Sequence, residues 1–192
     1  MQALSHHMLT MAYNNAWANH RLLKACGRLS QAAFTATRAS FFPSIKATLN
    51  HILVVDWFYI DALERESRGD TPHPNCYAFF ECEEPFDTCT ALRSAQSLCD
   101  RRLIAYCSHL RDEELGRYVT IERPQRTQRD TRTRLLAHLF QHQIHHRGQV
   151  HTTLVGTDVA PPQPDEFFCE DEPELRAQDF AELGWTEAAI WP

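Results

Sequence analysis

Four histidines, His138, His142, His145 and His146, fall within nine residues and give the clearest chemical signal in the sequence. A neutral imidazole is the commonest metal-binding side chain, because one ring nitrogen carries a free lone pair. Since a helix turns once every ~3.6 residues, residues four apart lie on one face. The segment therefore predicts a two-point metal clamp on a helix, although the glutamate that follows the first histidine in zinc proteases is absent.

Helical spacing alone does not select the two ligands. The pairs His138/His142, His142/His145 and His142/His146 all place two imidazoles at neighbouring positions on a helix surface. His138 and His145 could instead donate hydrogen bonds that fix the orientation of the ligand rings. The sequence thus predicts half of a metal site and leaves these alternatives open.

A catalytic zinc-type site needs a third protein ligand, and His51 is the best candidate for it. It begins an apolar segment, residues 51–60, whose only other strongly polar member is Asp56. A buried imidazole without a partner costs roughly 1–3 kcal/mol, and a metal ion would satisfy it. A histidine hydrogen-bonded within the core is the alternative interpretation. The remaining histidines are expected at the surface: His6, His7, His20, His73, His109 and His151.

Four long helices would position these residues. The apolar spacing predicts helices over residues 5–29, 44–67, 87–110 and 131–156, with Ser44 and Asp87 as N-caps and Gly156 as a C-cap. Residues 31–43 and 68–86 are expected to be irregular connections, and residues 117–130 a short β-hairpin. Four long helices joined by a long crossover indicate an all-α four-helix bundle.

Two segments stand apart from the predicted helices. The arginine-rich residues 117–134 are expected to form a solvated hairpin, with a rim that steers anions as the alternative. Residues 1–160 are predicted to form the bundle, and residues 161–192 an acidic extension whose aromatic side chains pack onto it. That extension holds nine acidic residues and one arginine, whereas residues 1–160 hold 16 acidic residues and 18 lysines and arginines. The body of the protein is therefore near neutral.

Composition argues against several classes of protein. The 192 residues suffice for one domain with a hydrophobic core. The sequence contains no run of ~18 apolar residues, so no transmembrane helix is predicted. The first residues do not resemble a secretory signal, and we therefore expect a cytoplasmic protein. Seven cysteines without a CxxC pair indicate reduced thiols. The near-neutral body also argues against nucleic-acid binding.

The motifs together resemble the DinB/YfiT-like metalloenzyme family. The resemblance rests on residues 136–149, which contain His142 and His146-Arg-Gly-Gln, and on Thr48-Leu-Asn-His51, with a weaker match at residues 13–19. It covers about residues 5–157, most of the chain. The resemblance implies an up-down-down-up four-helix bundle and a divalent metal ion held by His51, His142 and His146.

The resemblance also implies a function. Zinc and nickel are the expected metals, while iron, cobalt, manganese and copper also accept nitrogen ligands. Some relatives transfer low-molecular-weight thiols, so a small-molecule substrate and a homodimer are expected. We therefore predict a metal-dependent enzyme that activates a thiol or water, either transferase-like or hydrolase-like. The alternatives are a non-catalytic structural or sensory dimer module, in which His138, His145 or Asp56 closes the site, and a metal-free bundle.

Overall fold

The computed structural model describes residues 3–191. The helices are α1 (Leu4–Cys26), α2 (Gln31–Thr35), α3 (Ile45–Arg68), α4 (Cys89–Ser108), α5 (Arg132–Leu154), α6 (Ala177–Leu183) and α7 (Glu187–Ile190). An antiparallel hairpin, β1 (Tyr118–Arg123) and β2 (Arg126–Thr131), precedes α5. The predicted all-α fold with its short β-hairpin is confirmed.

The four long helices, α1, α3, α4 and α5, form the bundle. Helix α1 packs mainly against α4 and α3 against α5, and contacts of α3 with α4 and of α1 with α5 close the ring. The consecutive long helices α1 and α3 therefore lie diagonally across the core. Apolar side chains fill the centre, among them Leu53, Leu103 and Leu139, and the thiol of Cys99 is buried with them. No helix within residues 3–191 combines the length and the apolar character needed to cross a membrane.

Side-chain caps fix where the long helices begin. Ser44 caps α3 and Thr131 caps α5, each accepting a hydrogen bond from a backbone N–H of the first turn. The prediction that Asp87 caps the third long helix is wrong, because Thr88 accepts the hydrogen bond from the first turn of α4. Asp87 instead lies 3.1 Å from the ammonium of Lys46.

Two further boundaries differ from the sequence prediction. Helix α5 ends at Leu154, and Gly156 does not adopt the left-handed cap conformation; only Gly69 and Gly184 have a positive φ among the described residues. The predicted connector 31–43 contains the short helix α2, because Ser30 caps it and Phe34 is buried beneath it. A helix of five residues is too short for an apolar period to be detected in the sequence.

The C-terminal residues pack along α1. Trp17 of α1 is fully buried beneath apolar side chains of this segment, namely Phe167, Phe180 and Ile190. Ion pairs join Arg21 of α1 to Glu166 and Asp179, so acidic residues of the segment meet cations of the bundle. His20, expected at the surface, is instead mostly covered by this segment and hydrogen-bonds Glu182 at 2.9 Å.

Candidate metal centre

Three imidazoles converge where α3 packs against α5. They belong to His51 of α3 and to His142 and His146 of α5, and one ring nitrogen from each lies within 4.8 Å of the others. Nε2 of His51 is 3.1 Å from Nε2 of His142. Nitrogen donors bound at about 2.0–2.1 Å to one tetrahedral zinc ion lie roughly 3.3 Å apart. The donor set and its spacing therefore fit a single metal ion, and the three histidines singled out in the sequence are those that come together.

Gln149 fixes the orientation of His146. Its Oε1 lies 2.8 Å from Nδ1 of His146, and its Nε2 lies 3.1 Å from Nε2 of His145. Because an amide oxygen only accepts hydrogen bonds, His146 donates from Nδ1, which leaves the Nε2 lone pair free for a metal ion. The amide nitrogen donates in turn to His145. His145 therefore supports His146 through Gln149 and lies outside the cluster of three histidines.

Burial keeps the three rings neutral. Burial, together with the smaller effect of the neighbouring histidines, lowers the pKa of His51 to about 4 and that of His142 to about 3, since an imidazolium would lose its hydration there. Burial also lowers the pKa of His146. Nδ1 of His142 is buried without a hydrogen-bond partner among residues 3–191, so a protonated ring would leave a charged donor unpaired. At neutral pH the three imidazoles therefore present nitrogen lone pairs, to which a cation could bind.

An aromatic side chain covers the centre on one side. The ring of Phe42 lies 4.4 Å from the ring of His51 and 5.5 Å from that of His146. Phe41 packs edge-on against Phe42 at 5.0 Å but is itself 79% exposed. A hydrogen bond from the backbone of Arg38 to that of Pro43 closes the loop that carries both rings. Phe42 therefore excludes water from the His51 side of the site.

None of the residues considered as a fourth ligand joins the cluster within the described part of the chain. His138 is exposed, and its ring packs edge-on against Tyr59 and lies 6.3 Å from the ring of His142. His145 contacts Gln149. Asp56 is buried and accepts a hydrogen bond from Gln96 at 2.8 Å. Among residues 3–191 the cluster therefore consists of three histidines, with no fourth His, Cys, Asp or Glu beside them.

Asp56 belongs to a second polar cluster, which we call the buried network. It joins all four long helices: Asn15, Asn19, Asp56, Gln96, Asp100, Gln143 and Arg147. Arg147 donates hydrogen bonds to Asn15, Asn19 and Gln143. Gln96 donates to both carboxylates of the network. Arg147, which follows His146 in the motif, is thus the cation at the centre of this network.

The arginine-rich hairpin lies away from the metal centre. Helix α5 begins at Arg132, and the ten residues from there to His142 span about 15 Å of helix. Arg132 is buried and pairs with Glu66 at 2.6 Å, while Arg129 lies over the ring of Tyr118. The hairpin therefore gives no support to the alternative in which its arginines form a rim at the site.

Sequence reasoning missed Gln149 and Phe42. Gln149 lies one turn after His146 on the same helix, and that spacing was a usable signal for a hydrogen-bonding partner. Phe42 sits in a loop just before the α3 cap, where apolar periodicity carries no information.

Fold and site together define a helical bundle with a candidate three-histidine metal centre. The chain belongs to the DinB family, whose model matches residues 2–175. A comparison with curated proteins gives no match. The family match spans all four long helices and the three histidines, and it ends before α6 and α7. The family predicted from the motifs is therefore confirmed.

Proposed function

We propose that this protein is a metal-dependent enzyme whose His51, His142 and His146 hold a divalent ion at which a thiol or a water molecule is activated. The observation that carries the proposal is the convergence of three histidines without a fourth His, Cys, Asp or Glu ligand among residues 3–191. Structural zinc sites are normally closed by four protein ligands, whereas catalytic sites keep one position open. A divalent ion bound there would lower the pKa of a neighbouring thiol or water towards neutrality.

The surrounding residues favour an anionic nucleophile. Three neutral imidazoles contribute no negative charge, so they leave the positive charge of a bound ion uncompensated. Gln149 holds the lone pair of His146 towards the site, and Phe42 keeps water from one side of it. Both features strengthen the attraction between the centre and a thiolate or hydroxide.

A low-molecular-weight thiol is the preferred substrate in this proposal, with transfer to an electrophile as the reaction. A thiolate is a suitable ligand for borderline metals such as zinc and nickel, which are therefore the expected occupants, ahead of iron, cobalt and manganese. Water activation, and hence a hydrolase-like reaction, is the second form of the same chemistry.

Metal content is the first test. Protein purified without a His tag is analysed for metals, beside His51→Ala, His142→Ala and His151→Ala, the last being a control on the same helix outside the cluster. About one ion per chain is expected in the native protein and in His151→Ala, and none in the other two variants. No metal in the native protein and none taken up from added zinc or nickel would overturn the proposal.

Reactivity is the second test. The protein is loaded with Co²⁺, and dithiothreitol is added while the visible and near-ultraviolet spectrum is recorded. A new sulfur-to-cobalt band is expected, together with metal-dependent transfer of the thiol to 1-chloro-2,4-dinitrobenzene or hydrolysis of p-nitrophenyl acetate. A spectrum unchanged by thiol, with neither reaction above the rate of His142→Ala, would identify a structural or sensory metal instead.

A homodimer is the second part of the proposal. It rests on family membership, and sedimentation equilibrium at several protein concentrations tests it. A mass equal to one chain at all concentrations would refute it.

A further inference from the structure

A cleft of about 510 Å³ opens between α1, α4 and the C-terminal segment. It lies on the side of the bundle away from the metal centre, which is between α3 and α5. Helix α4 contributes Arg93, Ser97 and Arg101 to one wall, and Glu182 and Trp185 contribute to the other. The latter two follow the family match, which ends at residue 175. One wall of the cleft is therefore built by residues beyond the region that defines the family.

Asp100 of the buried network lines this cleft, and one of its oxygens lacks a partner. The residue is 6% exposed. Its Oδ1 accepts hydrogen bonds from Asn15, Asn19 and Gln96 at 3.4, 2.9 and 3.1 Å. No side chain within residues 3–191 donates to Oδ2. Unlike Oδ1 of Asp56, which is buried without a partner, Oδ2 of Asp100 is open to solvent, so it is the acceptor that the cleft offers to a ligand.

The buried network is also short of one positive charge. It contains two carboxylates, Asp56 and Asp100, and one cation, Arg147. Burial raises the pKa of both carboxyl groups to about 7, and the charge of Asp56 further raises that of Asp100. A cation placed at Oδ2 of Asp100 supplies the charge that a proton otherwise supplies.

The α4 side of the cleft carries the opposite charge, while Glu182 on the other wall is already paired with His20 and Lys24. Arg93 and Arg101 form no ion pair among the described residues, and Arg101 folds back to donate to Ser97 at 2.7 Å. Tyr13 and Trp185 meet edge-on with ring centroids 5.0 Å apart. A ligand therefore meets an anionic base, a cationic rim and an aromatic wall.

We propose that this cleft is a second binding site, for an α-amino acid with an apolar or aromatic side chain. Its ammonium group binds Oδ2 of Asp100, its carboxylate binds Arg93 and Arg101, and its side chain packs on Tyr13 and Trp185. A simple cation is repelled by the two arginines, and a simple anion by Asp100, so the arrangement selects a zwitterion. The site is independent of the metal centre and of its chemistry.

The first test uses the unmodified protein. L-Phenylalanine is titrated into it in an isothermal calorimeter, beside N-acetyl-L-phenylalanine, phenethylamine and glycine. Saturable binding of one L-phenylalanine per chain is expected. Each analogue should bind at least about tenfold more weakly than L-phenylalanine, because each lacks one of the three recognised groups. No saturable binding of L-phenylalanine, or binding of phenethylamine or N-acetyl-L-phenylalanine as tight as that of L-phenylalanine, would overturn the proposal.

The second test uses variants. Asp100→Asn and the double variant Arg93→Gln/Arg101→Gln should each weaken L-phenylalanine binding about tenfold or more. Arg134→Gln, an exposed arginine outside the cleft, and His142→Ala in the metal centre should bind as the native protein does. Because Arg93 and Arg101 are exposed, their replacement tests the site even where Asp100→Asn does not fold. Unchanged binding by the double variant would contradict the proposed role of the rim.

Discussion

The metal centre and the buried network are adjacent polar clusters that satisfy their members in different ways. Helix α5 contributes to both through neighbouring residues, since His142 precedes Gln143 and His146 precedes Arg147. In the network, an arginine and amide groups donate to carboxylates, so most of its polar atoms find partners within the protein. In the metal centre, two imidazole nitrogens face each other at 3.1 Å and the rings stay neutral.

This difference separates a cluster that holds the fold together from one that awaits a ligand. Removing a member of the network leaves a buried charge or dipole unpaired, which costs folding energy. Removing a histidine of the triad leaves the metal-free protein with one fewer buried lone pair. We therefore expect the triad to contribute to metal binding and the network to stability.

The largest effect is expected from Arg147→Met. This change leaves two buried carboxylates without their cation and should lower the free energy of unfolding by about 3–5 kcal/mol. Urea denaturation in the presence of a chelator measures it. His142→Ala, measured in the same way, should change the stability much less. Comparable losses in the two variants would remove the distinction between the clusters.

A smaller effect, on metal affinity alone, is expected from Gln149→Ala. Loss of the hydrogen bond to His146 frees the ring to rotate, and replacing such a partner typically lowers metal affinity about 10–100-fold. Competition with a chromophoric zinc chelator measures the affinity. Thr152→Ala, an exposed change on the same helix, is the control. The metal-free form of Gln149→Ala should unfold within about 0.5 kcal/mol of the native protein. A large loss of stability would place Gln149 with the network instead.

The two clusters should also give the pH dependence of stability opposite signs. Burial lowers the pKa of His51 to about 4 and of His142 to about 3, below the ordinary 6.5. At pH values between the folded-state and the unfolded-state pKa, the unfolded chain therefore binds more protons than the folded chain. Through these groups the metal-free protein loses stability as the pH falls below about 6.5. Burial raises the pKa of Asp56 and Asp100 from 3.8 to about 7. Their contribution is present at low pH and is lost as the pH rises through about 7.

Urea denaturation between about pH 4 and pH 8, with chelator present, tests these signs. Relative to the native protein, His142→Ala should make the slope of stability against pH less positive, because one group that protonates on unfolding is gone. Asp100→Asn should make that slope more positive, because a group that holds a proton in the folded state is gone. Parallel curves for the native protein and both variants would show that neither cluster changes its proton binding on folding.

The sequence carried enough information for the histidine triad. The buried face of α5 includes Leu139, Phe140 and Val150, and His146 lies on that face with His142 at its edge, whereas His138 and His145 fall outside it. Spacing of four residues did not by itself make this distinction, but the apolar face does. The family motif leads to the same residues.

The buried network could not be predicted from the sequence. Asn15, Asn19 and Gln96 look like solvated residues of amphipathic helices, and their partners are distant in sequence; Asn19 and Asp100, for example, are 81 residues apart. Periodicity places a residue on a face but does not say which polar residues of four helices share one layer. Because the partners of Asp56 could not be identified from the sequence, Asp56 was considered as a metal ligand. Its hydrogen-bond partner, Gln96, lies on another helix.

The smallest effect is expected from Phe42→Ala, which removes the cover of the triad but none of its ligands. Desolvation is the main cause of the low pKa of His51, so opening this side should raise that pKa from about 4 towards 6.5. Metal affinity should fall by less than about tenfold, and transfer of zinc to a chelator should become faster. Titration of the metal-free protein followed by NMR of the histidine Cε1 protons measures the pKa.

Phe41→Ala is the matched control. Phe41 is 79% exposed, and its ring packs against that of Phe42 and not against the histidine rings. It should leave the pKa of His51 unchanged. If Phe42→Ala also leaves it unchanged, the desolvation of His51 comes from the rest of the protein and not from the aromatic cover. His146→Ala separates the two causes: it should raise the pKa of His51 only where the neighbouring imidazole, the second cause, contributes to the depression.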